Sequence, residues 1–386
     1  MNKAEQKTLM ELLEELHDTR KGNGIKHKLA EVIMIGIMCI MCNGMTFTAM
    51  ELFGKTHEKE LREFMELPYG IPSHDTFRNI FNRLEPEAVS GIFESFLGEM
   101  KEELKKLEKG EKTEHVISVD GKTIRHSGNG KHKAYHVVTA FCSDLQLVLG
   151  QMTTEEKSNE ITAIPKLLKM LQIKGCTVTI DAMGTQREIA AVIKEKEADY
   201  ILGLKGNQSD LQEAVQLYIK SEMEDKTEEA FAKSGQYACT TEKGHGRIET
   251  RKCWVFPDMT WYDRTENWAG LTGCALIRST RTVADKSTTE DRFYIYSRET
   301  LTAKEFLNTQ RSHWAIENSL HWVLDVTFKE DSANIHLDNA AVVLNMFRKL
   351  VMQLLKADTS VKGSMKSKLL RCAWDFPYAL SVLQNS

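Results

Sequence analysis

The chain has 386 residues, 41% hydrophobic and 27% charged, with 51 Lys and Arg against 55 Asp and Glu for a net charge of −4. This is an ordinary globular composition, long enough for a large domain carrying an insertion plus a smaller terminal region, and it excludes a low-complexity or repeat protein. The charge balance argues against simple coating of a polyanion but leaves room for a local basic face, because acidic residues crowd into stretches such as Glu11–Glu15, Glu155–Glu160 and Glu222–Glu229.

Residues 1–105 read as an all-helical region. Lys3–His17 is charged, Lys28–Cys42 apolar, Thr46–Leu67 amphipathic, and Ser73–Leu84 starts behind Pro72. Ser73, Asp75, Thr76, Arg78, Asn79 and Arg83 give the last of these a polar face, suited equally to solvent or to a polyanionic partner. The apolar run Val32–Cys42 is too short to cross a bilayer, and Met1–Leu16 is too charged for a signal peptide, so a cytoplasmic protein with no membrane contact is expected. Cys39-x-x-Cys42 lies within that run without a second ligand pair and reads as core filling.

Glu102–Glu114 is a polar stretch leading to the next domain, after which the period changes. His115–Asp120, Tyr135–Ser143 and Leu147–Thr153 read as consecutive strands, followed by helix Asn159–Gln172, strand Thr177–Asp181, helix Thr185–Lys196, strand Tyr200–Leu204 and helix Ser209–Glu222. Thr185-x-x-Glu188 and Ser209-x-x-Gln212 look like capping boxes, as does Thr302-x-x-Glu305 ahead of a helix running through Trp314, Glu317 and Trp322. An amphipathic helix near Ala340–Lys356 closes the domain. A meander followed by alternating helix and strand implies an α/β, ribonuclease H-like mixed sheet flanked by helices over 112–234 and 299–386. Residues 235–298, with candidate strands Tyr237–Thr241, Glu249–Phe256, Gly273–Arg278 and Arg292–Ser297, read as an inserted β-rich subdomain.

Asp120 closes the strand Val116-Ile-Ser-Val-Asp, with Gly121-Lys122 read as a turn, and Asp181 closes Thr177-Val-Thr-Ile-Asp in the same way. In the inferred topology these strands are neighbours, so the two carboxylates can share a hard cation. The third acid is Glu317, placed on one helical face with Trp314, His321 and Leu324 by the i, i+3, i+4 rule.

The runs His313-Trp-Ala-Ile-Glu-Asn and His321-Trp-Val-Leu-Asp-Val, with Val119-Asp-Gly-Lys122, Ile180-Asp-Ala182 and His245-Gly-Arg-Ile-Glu249, resemble insertion-sequence transposases of the H-repeat-associated family over nearly the whole chain. The resemblance implies a DDE transposase in which Asp120, Asp181 and Glu317 are catalytic and hold two Mg²⁺ or Mn²⁺ ions. Its partners would be double-stranded DNA, at the element's terminal inverted repeats and at the target, handled by a homodimer in the nucleoid. Where better-known relatives place Tyr, Arg and Lys around the Glu, this chain has Gln310, His313 and Leu324; a protonated His313 can hold a phosphate and Leu324 cannot. Further expected DNA contacts are Lys122, Arg125, Lys205, Asn207, His245, Arg247, Arg251 and, on the N-terminal helix, Arg78. Alternatives are a ribonuclease H-like nuclease or resolvase that only cuts, and a folded, catalytically idle DNA-binding relic.

Overall fold

In a computed structural model the described residues are 7–22, 25–96, 115–128, 133–154, 159–244, 246–284, 286–333, 335 and 339–384. The N-terminal helices are α1 (Leu9–Glu14), α2 (Leu29–Met41), α3 (Phe47–Thr56), α4 (Glu58–Leu61), α5 (His74–Arg83) and α6 (Pro86–Phe96). Because α2 is apolar all round, it sits at the centre of the group, buried from Ala30 to Met41. Its partners come from both ends of the chain. The core that holds α2 also takes in α12 (Ala340–Ala357), α13 (Met365–Trp374), α14 (Phe376–Gln384) and Phe141 and Val148 on one face of the sheet. Phe81 of α5 and Phe347 of α12 meet edge to face at 5.2 Å. The N-terminal helices therefore share one core with the C-terminal helices.

The strands are β1 (Val116–Thr123), β2 (His136–Cys142), β3 (Leu147–Thr154), β4 (Thr177–Ile180), β5 (Asp199–Leu204), β6 (Tyr237–Gly244), β7 (Arg247–Phe256), β8 (Gly273–Val283) and β9 (Lys286–Tyr296). They form one mixed sheet in the order β3-β2-β1-β4-β5-β9-β8-β7-β6. β1 pairs antiparallel with β2 and parallel with β4, which pairs parallel with β5. Helices α7 (Glu160–Met170), α8 (Arg187–Glu195) and α9 (Ser209–Asp225), with α10 (Glu228–Lys233) after them, cover the face opposite α12. β2, covered on both faces, is buried along its whole length.

The segment 235–298, read as an inserted β-rich subdomain, continues this sheet. β9 pairs antiparallel with β5, which covers an edge that would otherwise expose a row of unpaired main-chain groups. α11 (Ala303–His313) then packs against the extension and returns the chain to the sheet.

Of the expected capping boxes, Thr302–Glu305 forms at the start of α11. Thr185 does not cap, because its buried hydroxyl donates to the Gly203 carbonyl and ties β5 to the loop after β4; α8 starts from Gln186 instead. Ser209 lies inside α9, which has Gln208 at its cap. Tertiary hydrogen bonding displaced the local motif at Thr185.

Candidate active site

The parallel register of β1 and β4 pairs Val119 with Ile180, so the next residues, Asp120 and Asp181, emerge side by side where β4 ends. β1 itself does not end there. Gly121, Lys122 and Thr123 continue it against β2, so the expected turn after Asp120 is absent and Asp120 is open only on the β4 side. Asp181 caps the short 3₁₀ turn Ala182–Gly184: its Oδ1 accepts from Met183 N at 3.1 Å and Gly184 N at 3.2 Å, leaving Oδ2 for another ligand. Asp120 Oδ1 accepts from Gly121 N at 2.8 Å.

Glu317, the third expected acid, lies on a helix that is not α-helical. Ile316–His321 and Val323–Thr327 are π-helical: Trp322 N donates to Glu317 O and Phe328 N to Val323 O, while Asn318 N still donates to Trp314 O. Burial along this stretch repeats every four residues. Ile316, Leu320, Leu324 and Phe328 are fully buried, Trp314, Asn318, Trp322 and Val326 are exposed, and Ala315, Ser319, Val323 and Thr327 are half-buried. On an α-helix of 3.6 residues per turn such a repeat would slip round by roughly 40° per step; the wider π turns cancel the slip. π turns occur often at functional sites.

Of the remaining stripe, His313, His321 and Asp325 meet residues of β1 and β4, while Glu317 between them is exposed and acts on Asp120 through its charge. His313 Nδ1 lies 2.9 Å from Thr179 Oγ1, His321 Nδ1 lies 3.5 Å from Asp120 Oδ2, and Asp325 Oδ1 lies 2.5 Å from Lys122 Nζ. The i, i+3, i+4 assignment is thus corrected: His321 shares the Glu317 stripe, Leu324 belongs to the core, and Trp314 lies on the adjoining exposed stripe.

Burial, followed by the charges of Asp181, Glu317 and Glu160, raises the Asp120 pKa to about 6 against the opposing Gly121 N–H. Burial also raises Glu317, with the Arg292 charge opposing it. His321 is pushed down to about 3 by burial and by the charges of Lys349 and Lys122, so it stands beside Asp120 as a neutral imidazole. A second layer lies behind Gly121, where the buried side chains of Glu160 and His136 meet and a Cβ on Gly121 would fall on both. Sequence reasoning missed this pair, since nothing about a Glu in the first turn of a helix signals burial.

The basic residues expected at DNA fall into two groups. Arg125 has a side chain 73% exposed, 3.4 Å from Asp331, and Lys205 is exposed just before α9. Arg78 lies on the exposed face of α5, 2.6 Å from Asp75. The others are committed within the fold. Lys122 is nearly buried, with Asp325 at 2.5 Å, Glu330 at 2.6 Å and Asp331 at 3.6 Å. Arg247 pairs with Glu249, and Arg251 with Glu242 and Glu249, along β6 and β7. Asn207 donates to the Ala182 carbonyl at 2.8 Å and steadies the turn after Asp181. Burial lowers the pKa of His313, which counts against the charged phosphate holder expected there. His245 lies outside the described residues; on either side of it Gly244 pairs with Arg247 and Gly246 has φ +72°.

The donor set suits a hard divalent cation. It consists of carboxylate oxygens whose mutual repulsion is expressed in Asp120, while Lys122, two residues on, is occupied by other acids. Among the described residues the trio that brings donor atoms within 4.8 Å of one another is His115, Cys142 and Asp144, at the other end of β1; Asp120, Asp181 and Glu317 are not drawn together to that distance.

Residues 111–354 match the family model described as Transposase DDE domain, and residues 10–97 match its companion, described as DDE_Tnp_1-associated. The chain belongs to the DDE transposase family. It is 35% identical over 391 residues to the "H repeat-associated putative transposase YhhI" of Escherichia coli strain K12, covering 99% of each chain. It is 36% identical over 386 residues to the "Putative transposase YncI" of Escherichia coli O157:H7, covering 98% of this chain and 95% of that protein. Among the described residues no helix of this transposase homologue is long and apolar enough to cross a membrane.

Proposed function

We propose that the protein cuts DNA at the ends of an insertion sequence and joins them to target DNA, with Asp120, Asp181 and Glu317 as metal ligands. The carrying observation is that β1–β4 register sets the two aspartates side by side and that the charges of Asp181 and Glu317 both act on Asp120. The order β3-β2-β1-β4-β5, antiparallel at β2 and parallel at β4 and β5, is compatible with a ribonuclease H-like core and supports the same reading.

Divalent cations held by the three acids would activate a water or a 3′-hydroxyl and stabilise the leaving 3′ oxygen. The protein's part is to fix the ligands. Gly121 N holds Asp120 Oδ1, the turn Ala182–Gly184 holds Asp181 Oδ1, and the core-anchored π segment holds Glu317. Exposed Arg125 and Lys205 would meet phosphates, and two copies would bring two DNA ends together.

The test is nicking of a plasmid carrying the DNA that flanks the gene, in Mg²⁺ or Mn²⁺. Asp120→Asn, Asp181→Asn and Glu317→Gln should each cost at least ~10²-fold in rate, on the scale of a lost electrostatic contributor, with no loss of thermal stability. Activity within about tenfold of wild type would remove that residue from the ligand set.

A further inference from the structure

Two of the chain's six tryptophans lie exposed beside the third acid: Trp314 is 44% and Trp322 57% accessible. Indoles are usually placed where their apolar surface is covered. The four-residue repeat puts these two on one stripe with Asn318 and Val326, a quarter-turn round the helix from Glu317 and His321. Their exposure is therefore part of the regular pattern that presents Glu317. On the β9 side, the Arg292 guanidinium lies 5.5 Å from the Trp314 ring centre, and its charge reaches Glu317.

We infer that Trp314 and Trp322 form a stacking platform for unpaired bases of the DNA strand whose phosphodiester lies at Glu317. The inference rests on the metal-site reading given above and adds a ligand class to it. Aromatic faces with a neighbouring cation are the elements that hold single-stranded nucleic acid: each base offers a π face, and the cation meets the backbone. The amide of Asn318, between the two rings on the same stripe, can meet a base edge. A second copy of the chain docked on this stripe would cover Glu317 as well, which argues for the substrate as the occupant.

The platform is tested on the full chain without divalent cation, so that nothing is cut. The probes are a blunt 20-base-pair duplex and the same duplex with a four-nucleotide 3′ tail containing 2-aminopurine. Wild type should bind the tailed probe more tightly and quench the 2-aminopurine. Trp322→Ala and Trp314→Ala should each weaken tailed binding by about tenfold, restore fluorescence and leave blunt binding within about twofold. Trp322→Phe, which keeps a ring, should retain most of the preference. Equal loss on both probes, no loss on either, or a change from dimer to monomer in the Ala variants with no tail preference in wild type would each overturn the platform. Plasmid nicking in Mg²⁺ separates the two readings. Nicking without tail preference overturns the platform alone, and tail preference without nicking overturns the metal site while the nucleic-acid surface stands.

Discussion

Lys122→Met tests whether the lysine beside Asp120 grips DNA or holds the protein together. Methionine keeps most of the stem and removes the ammonium from among Asp325 at 2.5 Å, Glu330 at 2.6 Å and Asp331 at 3.6 Å. Taking one partner from a buried ion pair costs about 3–5 kcal/mol. Here Glu330 retains Arg348 at 3.3 Å and Asn345 at 2.9 Å, so the acid left exposed to the loss is Asp325. Its side chain is 29% exposed and can turn to water or take up a proton, which points to the low end, about 3 kcal/mol. Burial already raises the Asp325 pKa while Lys122 holds it down, so the variant should bind a proton there. Its stability deficit should then be smaller at pH 5 than at pH 8, because native protonation relieves the unpaired charge. Urea unfolding at the two pH values measures both effects. A deficit under about 1 kcal/mol, together with a salt slope for DNA binding flattened by ~0.9, would show instead that the ammonium neutralises a phosphate.

Two further outcomes follow from the site's charges. Asp120, raised to about 6, is protonated more readily in the folded than in the unfolded chain, so its charge costs stability above that pH, and a cation must displace its proton below it. Mn²⁺ affinity by calorimetry should fall as pH drops below about 6; a flat profile from pH 5 to 8 would refute the carboxylate cluster. Arg125→Ala and Lys205→Ala should each flatten the log–log salt dependence of DNA binding by about 0.9, whereas Arg247→Ala, whose guanidinium is paired along β7, should leave it unchanged; equal slopes for all three would refute the division.

Strand and helix positions were legible where burial imposes a clean period, as in β2 and β4, and failed where a local motif competes with tertiary contacts. Gly121-Lys122 reads as a turn, yet β2 carries the strand past it; Gly121 is needed because His136 and Glu160 occupy the space of a side chain. Thr185-x-x-Glu188 has the letters of a capping box, yet the threonine hydroxyl is spent on Gly203. The insertion was legible as β structure but not as an extension of the main sheet, since pairing of β5 with β9 spans some eighty intervening residues and depends on an open edge rather than on local sequence.

The β1–β4 pairing that sets Asp120 beside Asp181 was legible, but the helix that bears Glu317 was misread by imposing a 3.6-residue period on it. The sequence does carry the other period: Ile316, Leu320, Leu324 and Phe328 against His313, Glu317, His321 and Asp325. A straight α-helix would turn His313 and Asp325 to different sides, whereas the π turns let one stripe meet Thr179, Asp120 and Lys122 in succession. Such turns are rare in isolation and need tertiary support. Part of that support is the pinning of Asp325 by Lys122, and the rest is the buried stripe, which belongs to the same core as Phe77 and Phe81 of α5 and Phe347 of α12. The N-terminal helices therefore help to set the position of Glu317 whatever they bind. Deleting residues 1–100 would open that core along with any DNA-reading surface, so it cannot distinguish recognition from support. Arg78→Ala can, because Arg78 lies on the solvent face of α5 and its removal leaves the buried stripe untouched.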